Sequence, residues 1–290
     1  MPAGPHSPAS TCRGGVRAAC LADVGGPWLA DAMRTATSAD GTPIAYEETG
    51  DGPTVVIING AMSTAADAAG LAEALADAGF RAVTWDRRAR GSSGDARHST
   101  PDREVEDLAA VIDAVGGDAA VLGHSSGAVL ALVAASRGVP VRALFLSEPP
   151  LRFGVDEPAD DLADRLQQDV DQGRFDDAIV TFQLEGVGLP RDMVEGIRAS
   201  DQFAALLPLA QSTVYDTNLV REASVPTDEM LGVTAPVTVL RGEQTFPILL
   251  TAADRLTGAM DGAELVVVPE SVMHRPDPVA TARVIRERLA

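Results

Sequence analysis

One serine, two histidines and a few carboxylates are the residues here whose types and spacing could do chemistry. Ser125 stands in Gly123-His124-Ser125-Ser126-Gly127, a G-x-S-x-G pattern, directly after the apolar stretch Ala120-Val121-Leu122 and before the helix-compatible run Ala128 to Ser136. Strand, sharp turn and helix in that order make a nucleophile elbow. Its small residues let a strained turn lift the serine hydroxyl above the sheet edge, and the helix N-terminus behind it favours negative charge. A hydroxyl nucleophile needs a base. His274 falls between the strand Leu265 to Val268 and the last helix, in a strand–helix loop at the same sheet edge as Ser125. His98, in a Ser/Gly-rich loop, is its competitor, and His124 is expected to point away from the nucleophile at the turn. Two backbone N–H groups would complete an oxyanion hole: that of Ser126, and that of Ala61 in Asn59-Gly60-Ala61-Met62, after the strand Thr54 to Ile58. A set of this kind performs acyl transfer. The bland alternative is a Gly/Ser-rich turn without chemistry, and the flanking strand and helix weigh against it.

Composition narrows the field further. The chain has 290 residues, 46% hydrophobic, with a formal net charge of -19. That apolar share is enough for a core, and the negative balance disfavours nucleic acid and anionic membrane surfaces as partners. All 23 basic residues are arginine. A chain without lysine has no Schiff-base residue, no P-loop lysine and no protein-kinase pattern. Cys12 and Cys20 are too few for a disulfide framework or a cysteine zinc site, and the four histidines lack metalloprotease spacing. No metal and no cofactor are expected.

The elements that must position Ser125 and His274 follow from hydrophobic pattern. Residues 1–33 are rich in Pro, Gly, Ala and Ser, lack the apolar core of a secretory signal and read as a disordered tail, with Met33 as an alternative start. No stretch approaches the roughly 20 apolar residues of a membrane span, and a cytoplasmic location is expected. Short apolar strands then alternate with helices: Ile44 to Glu48, Thr54 to Ile58, a helix from Ala65 to Ala78, Arg81 to Trp85, a helix opened by Pro101, Ala119 to Leu122, and Val141 to Leu146. Such alternation predicts a doubly wound, mostly parallel sheet covered on both faces. Between Leu151 and Pro226 it gives way to helical pattern alone, with a segment from Asp201 to Gln211 interrupted at Pro208. It resumes at Pro236 to Leu240, with helices from Leu249 to Met260 and from Pro278 to Leu289. The expected domains are a tail (1–33), a core (34–150 and 227–290) and a helical cap (151–226).

From Thr35 to Ala290 the chain resembles the α/β-hydrolases with a helical cap. The resemblance rests on Asn59-Gly60, on Trp85-Asp86-Arg87-Arg88-Ala89-Arg90-Gly91-Ser92-Ser93-Gly94, which is similar to the D-x-R-G-x-G-x-S loop of that superfamily, on the Ser125 elbow and on the late His274. Two positions depart from the family pattern. Asn59 stands where a histidine usually precedes the oxyanion-hole glycine. After the strand Pro236 to Leu240 the chain reads Gly242-Glu243-Gln244-Thr245, with Thr245 where the acid of the triad usually stands. Glu148, in Ser147-Glu148-Pro149-Pro150 after the neighbouring strand, offers a replacement, as in one branch of the haloalkane dehalogenases. It is preferred over Glu243 or the absence of any acid, because a carboxylate there suits the orienting role.

The resemblance implies a serine hydrolase that cleaves a small hydrophobic ester, lactone or thioester through Ser125, His274 and Glu148. Met62 and Asn59 are candidate substrate contacts, and Phe182 and Leu206 candidate cap residues lining the pocket. Two alternatives stay open: cofactor-free C–C bond hydrolysis or lyase chemistry on the same triad, and a non-catalytic small-molecule receptor. The oligomeric state is not legible.

Overall fold

The computed structural model describes residues 33–96 and 99–290. The expected tail, Cys12, Cys20, His6 and the competitor base His98 lie outside the described residues, apart from Met33, which is exposed.

The strands are β1 (Arg34–Thr37), β2 (Pro43–Thr49), β3 (Thr54–Ile58), β4 (Arg81–Trp85), β5 (Ala119–His124), β6 (Leu144–Ser147), β7 (Val237–Arg241) and β8 (Glu264–Val267). They form one sheet in the order β1-β2-β4-β3-β5-β6-β7-β8. β1 and β2 enter antiparallel, and every pairing from β4 onward is parallel. The helices between them are α1 (Ala69–Asp77), preceded by a 3-10 turn Ala65–Ala68, α2 (Pro101–Ala114) and α3 (Ser126–Ser136). After the insertion come α10 (Pro247–Ala259) and α11 (Pro278–Leu289). This is the α/β-hydrolase fold, a mostly parallel sheet flanked by helices, with a helical cap inserted between β6 and β7. β3 is buried along its whole length, as a five-residue apolar run in a doubly covered sheet should be. The short polar β1, Arg-Thr-Ala-Thr, carries no apolar period and is an addition to the sequence reading.

Strand order decides where the chemistry can be. The chain runs from β3 to β4 on one side and returns to β5 on the other, so the loops after β3 and β5 diverge at a topological switch point, where α/β sheets form their crevices. The register is specific. Ile58 pairs with Gly123, His124 with Ser147, and Ser147 with Leu240. The strand ends after Ile58, His124, Ser147 and Arg241 therefore line up, and Gly60, Ser125, Glu148 and Gly242 come off them side by side.

The insertion contains α4 (Leu162–Asp171), α5 (Phe175–Thr181), a π-helical turn Phe182–Val187, α6 (Arg191–Arg198), α7 (Phe203–Leu206), a 3-10 turn Leu207–Leu209, α8 (Ala210–Ala223) and α9 (Asp228–Leu231). The expected helix from Asp201 to Gln211 is corrected here. Pro208 sits in the turn that leads into α8, and the main helix starts at Ala210 and runs to Ala223. Proline is tolerated there because a helix start has no partner for its N–H. The apolar period of α8 is masked by buried hydroxyls that bond back to helix carbonyls: Ser212 to Leu209, Thr213 to Ala210 and Thr217 to Thr213. Ala210, Val214 and Tyr215 of α8 pack with α4 and α5, while Leu219 and Ala223 belong to the core over the sheet.

The loop after β4 is anchored by charge. Arg88 makes a fork to Asp107 of α2, Nε to Oδ2 at 2.7 Å and Nη2 to Oδ1 at 2.6 Å, with both side chains fully buried. Ala89 and Gly91 in this loop take positive φ, 59° and 51°, and a Cβ on Gly91 would lie 2.1 Å from the Asp86 carboxylate. Asp86 in turn accepts from the Ala65 and Ser92 N–H groups, tying the start of the first helical turn to the loop. Removing Asp107 leaves the buried Arg88 with Asp40 alone, at 3.2 Å, so Asp107→Ala is expected to lower the unfolding free energy by about 3 kcal/mol in urea denaturation. The Arg88→Met, Asp107→Leu double variant is expected to recover most of that loss.

Candidate active site

Ser125 sits between β5 and α3 with φ 54° and ψ -125°, a conformation that costs a non-glycine residue energy. Its neighbours must be small. A Cβ on Gly123 would lie 2.4 Å from the Gly127 carbonyl oxygen, and one on Gly127 would lie 2.2 Å from that of Ile58. Ser126 is the first residue of α3, so its N–H is one of the helix-start donors without an intrahelical acceptor.

The loop after β3 abuts Ser125, for a Cβ on Gly60 would lie 2.8 Å from the Ser125 Cβ. Asn59, which stands in the usual histidine position, turns its side chain along the loop and donates from Nδ2 to the Thr64 carbonyl at 2.6 Å. The Gly60 carbonyl accepts from Arg90 Nη1 at 2.6 Å. Across a planar trans peptide the N–H opposes the C=O, so Ala61 N–H is turned away from that buried arginine. Ala61 and Met62 pack against the apolar cluster of the insertion, together with Leu206 and the buried Phe182. Gln183, on the π-helical turn, is buried and donates to Met62 Sδ at 3.9 Å. A π turn in a helix often marks a functional place, and nothing in the sequence pattern announced Gln183.

His274 Nδ1 and Glu148 Oε2 lie 2.5 Å apart. Glu148 is buried at the end of β6, and Oε1 accepts from Gly242 N–H at 2.9 Å while Oε2 also accepts from Thr245 Oγ1 at 3.0 Å. Burial raises the Glu148 pKa, but the bonds from His274, Gly242 and Thr245 outweigh it, and the carboxyl is held below the ordinary glutamate range. An ionised acceptor on Nδ1 fixes the tautomer of His274 and leaves Nε2 to face a proton donor. Glu243 is exposed, and its side chain makes no hydrogen bond to His274 among the described residues. Thr245, where the resemblance expects a carboxylate, instead donates a hydrogen bond to Glu148. The Phe246 ring stands edge-on to His274, centroids 6.5 Å apart.

The His124 ring lies 4.6 Å from that of His274, and its Nε2 is 3.1 Å from the His274 carbonyl oxygen. That contact requires Nε2 to carry the proton. His124, Glu148 and His274 bring ligand-type atoms within 4.8 Å of one another. These atoms already serve one another: Nδ1 and Oε2 share one bond, and His124 Nε2 is spent on a carbonyl.

Burial and the adjacent His274 push the His124 pKa down to about 3, against the weaker pull of Glu148 and the backbone bond. In the folded protein His124 therefore stays neutral where an unfolded histidine, with a pKa near 6.5, takes up a proton. That mismatch costs stability progressively as pH falls from about 6.5 toward 3, and the cost vanishes above about 6.5. His124→Asn is expected to flatten this decline relative to the parent, measured by urea denaturation at successive pH values.

Comparison with known proteins bears on the fold and the family. Residues 55–284 match the model of the Alpha/beta hydrolase family. A crystal structure of an alpha/beta hydrolase from Sphaerobacter thermophilus is 38% identical over 89% of this chain and 100% of its own, with a TM-score of 0.82. A thermophilic esterase from Thermogutta terrifontis is 20% identical over 89% of this chain and 97% of its own, TM-score 0.68. An enol-lactonase from Burkholderia xenovorans is 19% identical over 88% and 98%, TM-score 0.63. At such identities these two share the fold. No curated protein matches the sequence. Among the described residues no helix is long and apolar enough to cross a membrane. With the fold, the strand-edge site and the family match in agreement, the chain belongs to the alpha/beta hydrolase family and is a hydrolase-type enzyme.

Proposed function

We propose that this enzyme cleaves a small, mostly apolar ester, lactone or thioester through an acyl-enzyme on Ser125. The observation that carries the reading is the 2.5 Å contact between His274 Nδ1 and the buried Glu148 carboxylate, beside an elbow that holds Ser125 at positive φ. Ser125 Oγ attacks the acyl carbon while His274 Nε2 takes its proton. Glu148 stabilises the imidazolium that forms, and Gly242 and Thr245 hold Glu148 in place. The carbonyl oxygen, now an alkoxide, is met by the N–H groups of Ala61 and Ser126. The tetrahedral intermediate collapses, the leaving alkoxide or thiolate receives the proton from His274, and water repeats the sequence to release the acid and Ser125.

An oxygen nucleophile suits acyl transfer, since its acyl-enzyme is an ester that water can cleave. The structures named as an esterase and an enol-lactonase bring the same bond class into view. The apolar side chains of the cap against Ala61 and Met62, among them Phe182 and Leu206, favour a hydrophobic acyl or alcohol group, with Met62 and Asn59 beside it.

A fluorophosphonate probe is expected to label Ser125, and Ser125→Ala to lose both the label and nearly all turnover of p-nitrophenyl esters. Unchanged turnover in that variant would remove the serine from the mechanism. Glu148→Gln is expected to lower kcat by about 10²–10⁴ with little change in KM, whereas Glu243→Gln stays near the parent. The reverse ranking would move the acid to the end of β7. Phe182→Ala and Leu206→Ala are expected to shift the preferred acyl length while an acetate ester is turned over within about threefold of the parent, a difference of under about 1 kcal/mol. An equal loss on all esters would make these residues structural.

A further inference from the structure

Four charged side chains lie wholly buried beneath the loop after β3 and the start of α3: Arg87, Arg90, Glu104 and Asp216. Arg87 and Arg90 come from the loop after β4, Glu104 from α2, and Asp216 from α8 of the insertion. Arg87 Nε donates to Glu104 Oε1 at 2.8 Å, and its Nη1 donates to Asp216 Oδ1 at 2.9 Å. Arg90 Nη2 donates to Asp216 Oδ2 at 2.7 Å. Each carboxylate oxygen of Asp216 thus holds one guanidinium. Burial opposes ionisation of Asp216, but the two arginines and the Ser126 hydroxyl hold its carboxyl below the ordinary range, so it serves as an anion.

Burying four charges is costly, and apolar side chains of the same volume often fill such space as well or better. The contacts at the far side of the network suggest what the charges are kept for. Arg90 Nη1 ends on the Gly60 carbonyl at 2.6 Å and reaches the Ser63 carbonyl at 3.4 Å. Arg87 Nη1 reaches the Asn59 carbonyl at 3.4 Å and the Ser126 hydroxyl at 3.1 Å. The Ser126 hydroxyl donates to Asp216 Oδ1 at 2.8 Å. Of these, the bond to the Gly60 carbonyl falls on the peptide that carries Ala61 N–H, and those to the Ser126 hydroxyl fall on the residue that carries the second proposed donor.

We propose that Asp216 is a positioning residue for the oxyanion hole: through Arg90 it sets the plane of the Gly60–Ala61 peptide, and through the Ser126 hydroxyl it sets the first residue of α3. The inference rests on the acyl-enzyme reading. Oxyanion donors act only within about 2.7–3.1 Å of the charge they stabilise, and a displacement of about 1 Å can cost about 10²-fold in rate. A network that merely docks the insertion would have no such link to rate per active site.

The test compares the parent with Asp216→Asn, which keeps the shape and removes the charge. Active sites are counted with a fluorophosphonate, and kcat per site and KM are measured on p-nitrophenyl butyrate. The inhibition constant of an alkylboronic acid, which forms a tetrahedral adduct on the serine, is measured alongside. Asp216→Asn is expected to lower kcat per titrated site about 10–10²-fold with KM within about twofold, and to raise the boronate inhibition constant by the factor by which kcat/KM falls. A reduced count of active sites or a lower Tm, with kcat per site and boronate affinity unchanged, overturns the proposal and leaves Asp216 a docking residue. If Asp216→Asn does not fold, Ser126→Ala tests the same link by removing one hydroxyl while keeping the N–H. It is expected to lower kcat per site several-fold, and an unchanged value overturns the proposal. A parent neither labelled nor active would instead remove the acyl-enzyme reading, and this inference with it.

Discussion

The site depends on how closely α3 crosses β5. At Gly123 and Gly127 the separation leaves no space for a Cβ against the Gly127 and Ile58 carbonyls. The chain can make that crossing only by turning sharply at Ser125, and the turn forces a non-glycine residue to positive φ at a cost of roughly 1–2 kcal/mol. The strain persists because α3 is locked: its residues from Ser126 to Ala134 are buried without a break. Met62, Glu148, Met273 and His274 also take positive φ, between 49° and 61°. They come from three further loops at the same sheet edge, so unfavourable backbone is concentrated where the proposed chemistry is and stabilised by packing elsewhere.

Electrostatics divides the site into two halves. On one side Glu148 is held as an anion by a histidine, a backbone N–H and the hydroxyl of Thr245. The loop after β7 supplies the donors, and the end of β6 supplies the charge. On the other side two buried arginines face the carbonyls of the loop after β3. Charges on this second side do not touch the nucleophile, and they fix backbone that does.

Much of this was legible in the sequence because it is local. A buried five-residue run such as Thr54 to Ile58 carries its own strand signal, and Gly123-His124-Ser125-Ser126-Gly127 carries its own turn. Loops at one sheet edge then follow from the alternation, which brought His274 and Glu148 to the same edge as Ser125. What was not legible depends on distance or on disguise. Asp216 meets Arg90 across 126 residues of sequence, with no pattern linking them. The polar residues of α8 hide a helix that is buried on nearly every side. β1 is short and polar, and its partner rather than its composition makes it a strand. The approach of the loop carrying His274 over the His124 ring links residues 150 apart in sequence and has no local signal.

Helix α8 has a mechanical consequence. Its first half belongs to the apolar cluster of the insertion, its second half to the core over the sheet, and Tyr215 donates to Asp95 of the loop after β4. Lifting the whole insertion as one body would tear Asp216 from two buried arginines, leaving Arg87 with Glu104 alone and Arg90 with no carboxylate, a penalty of several kcal/mol. Such a lid has no cheap hinge at α8. Helix α8 is thereby a fixed post that ties the insertion to the sheet.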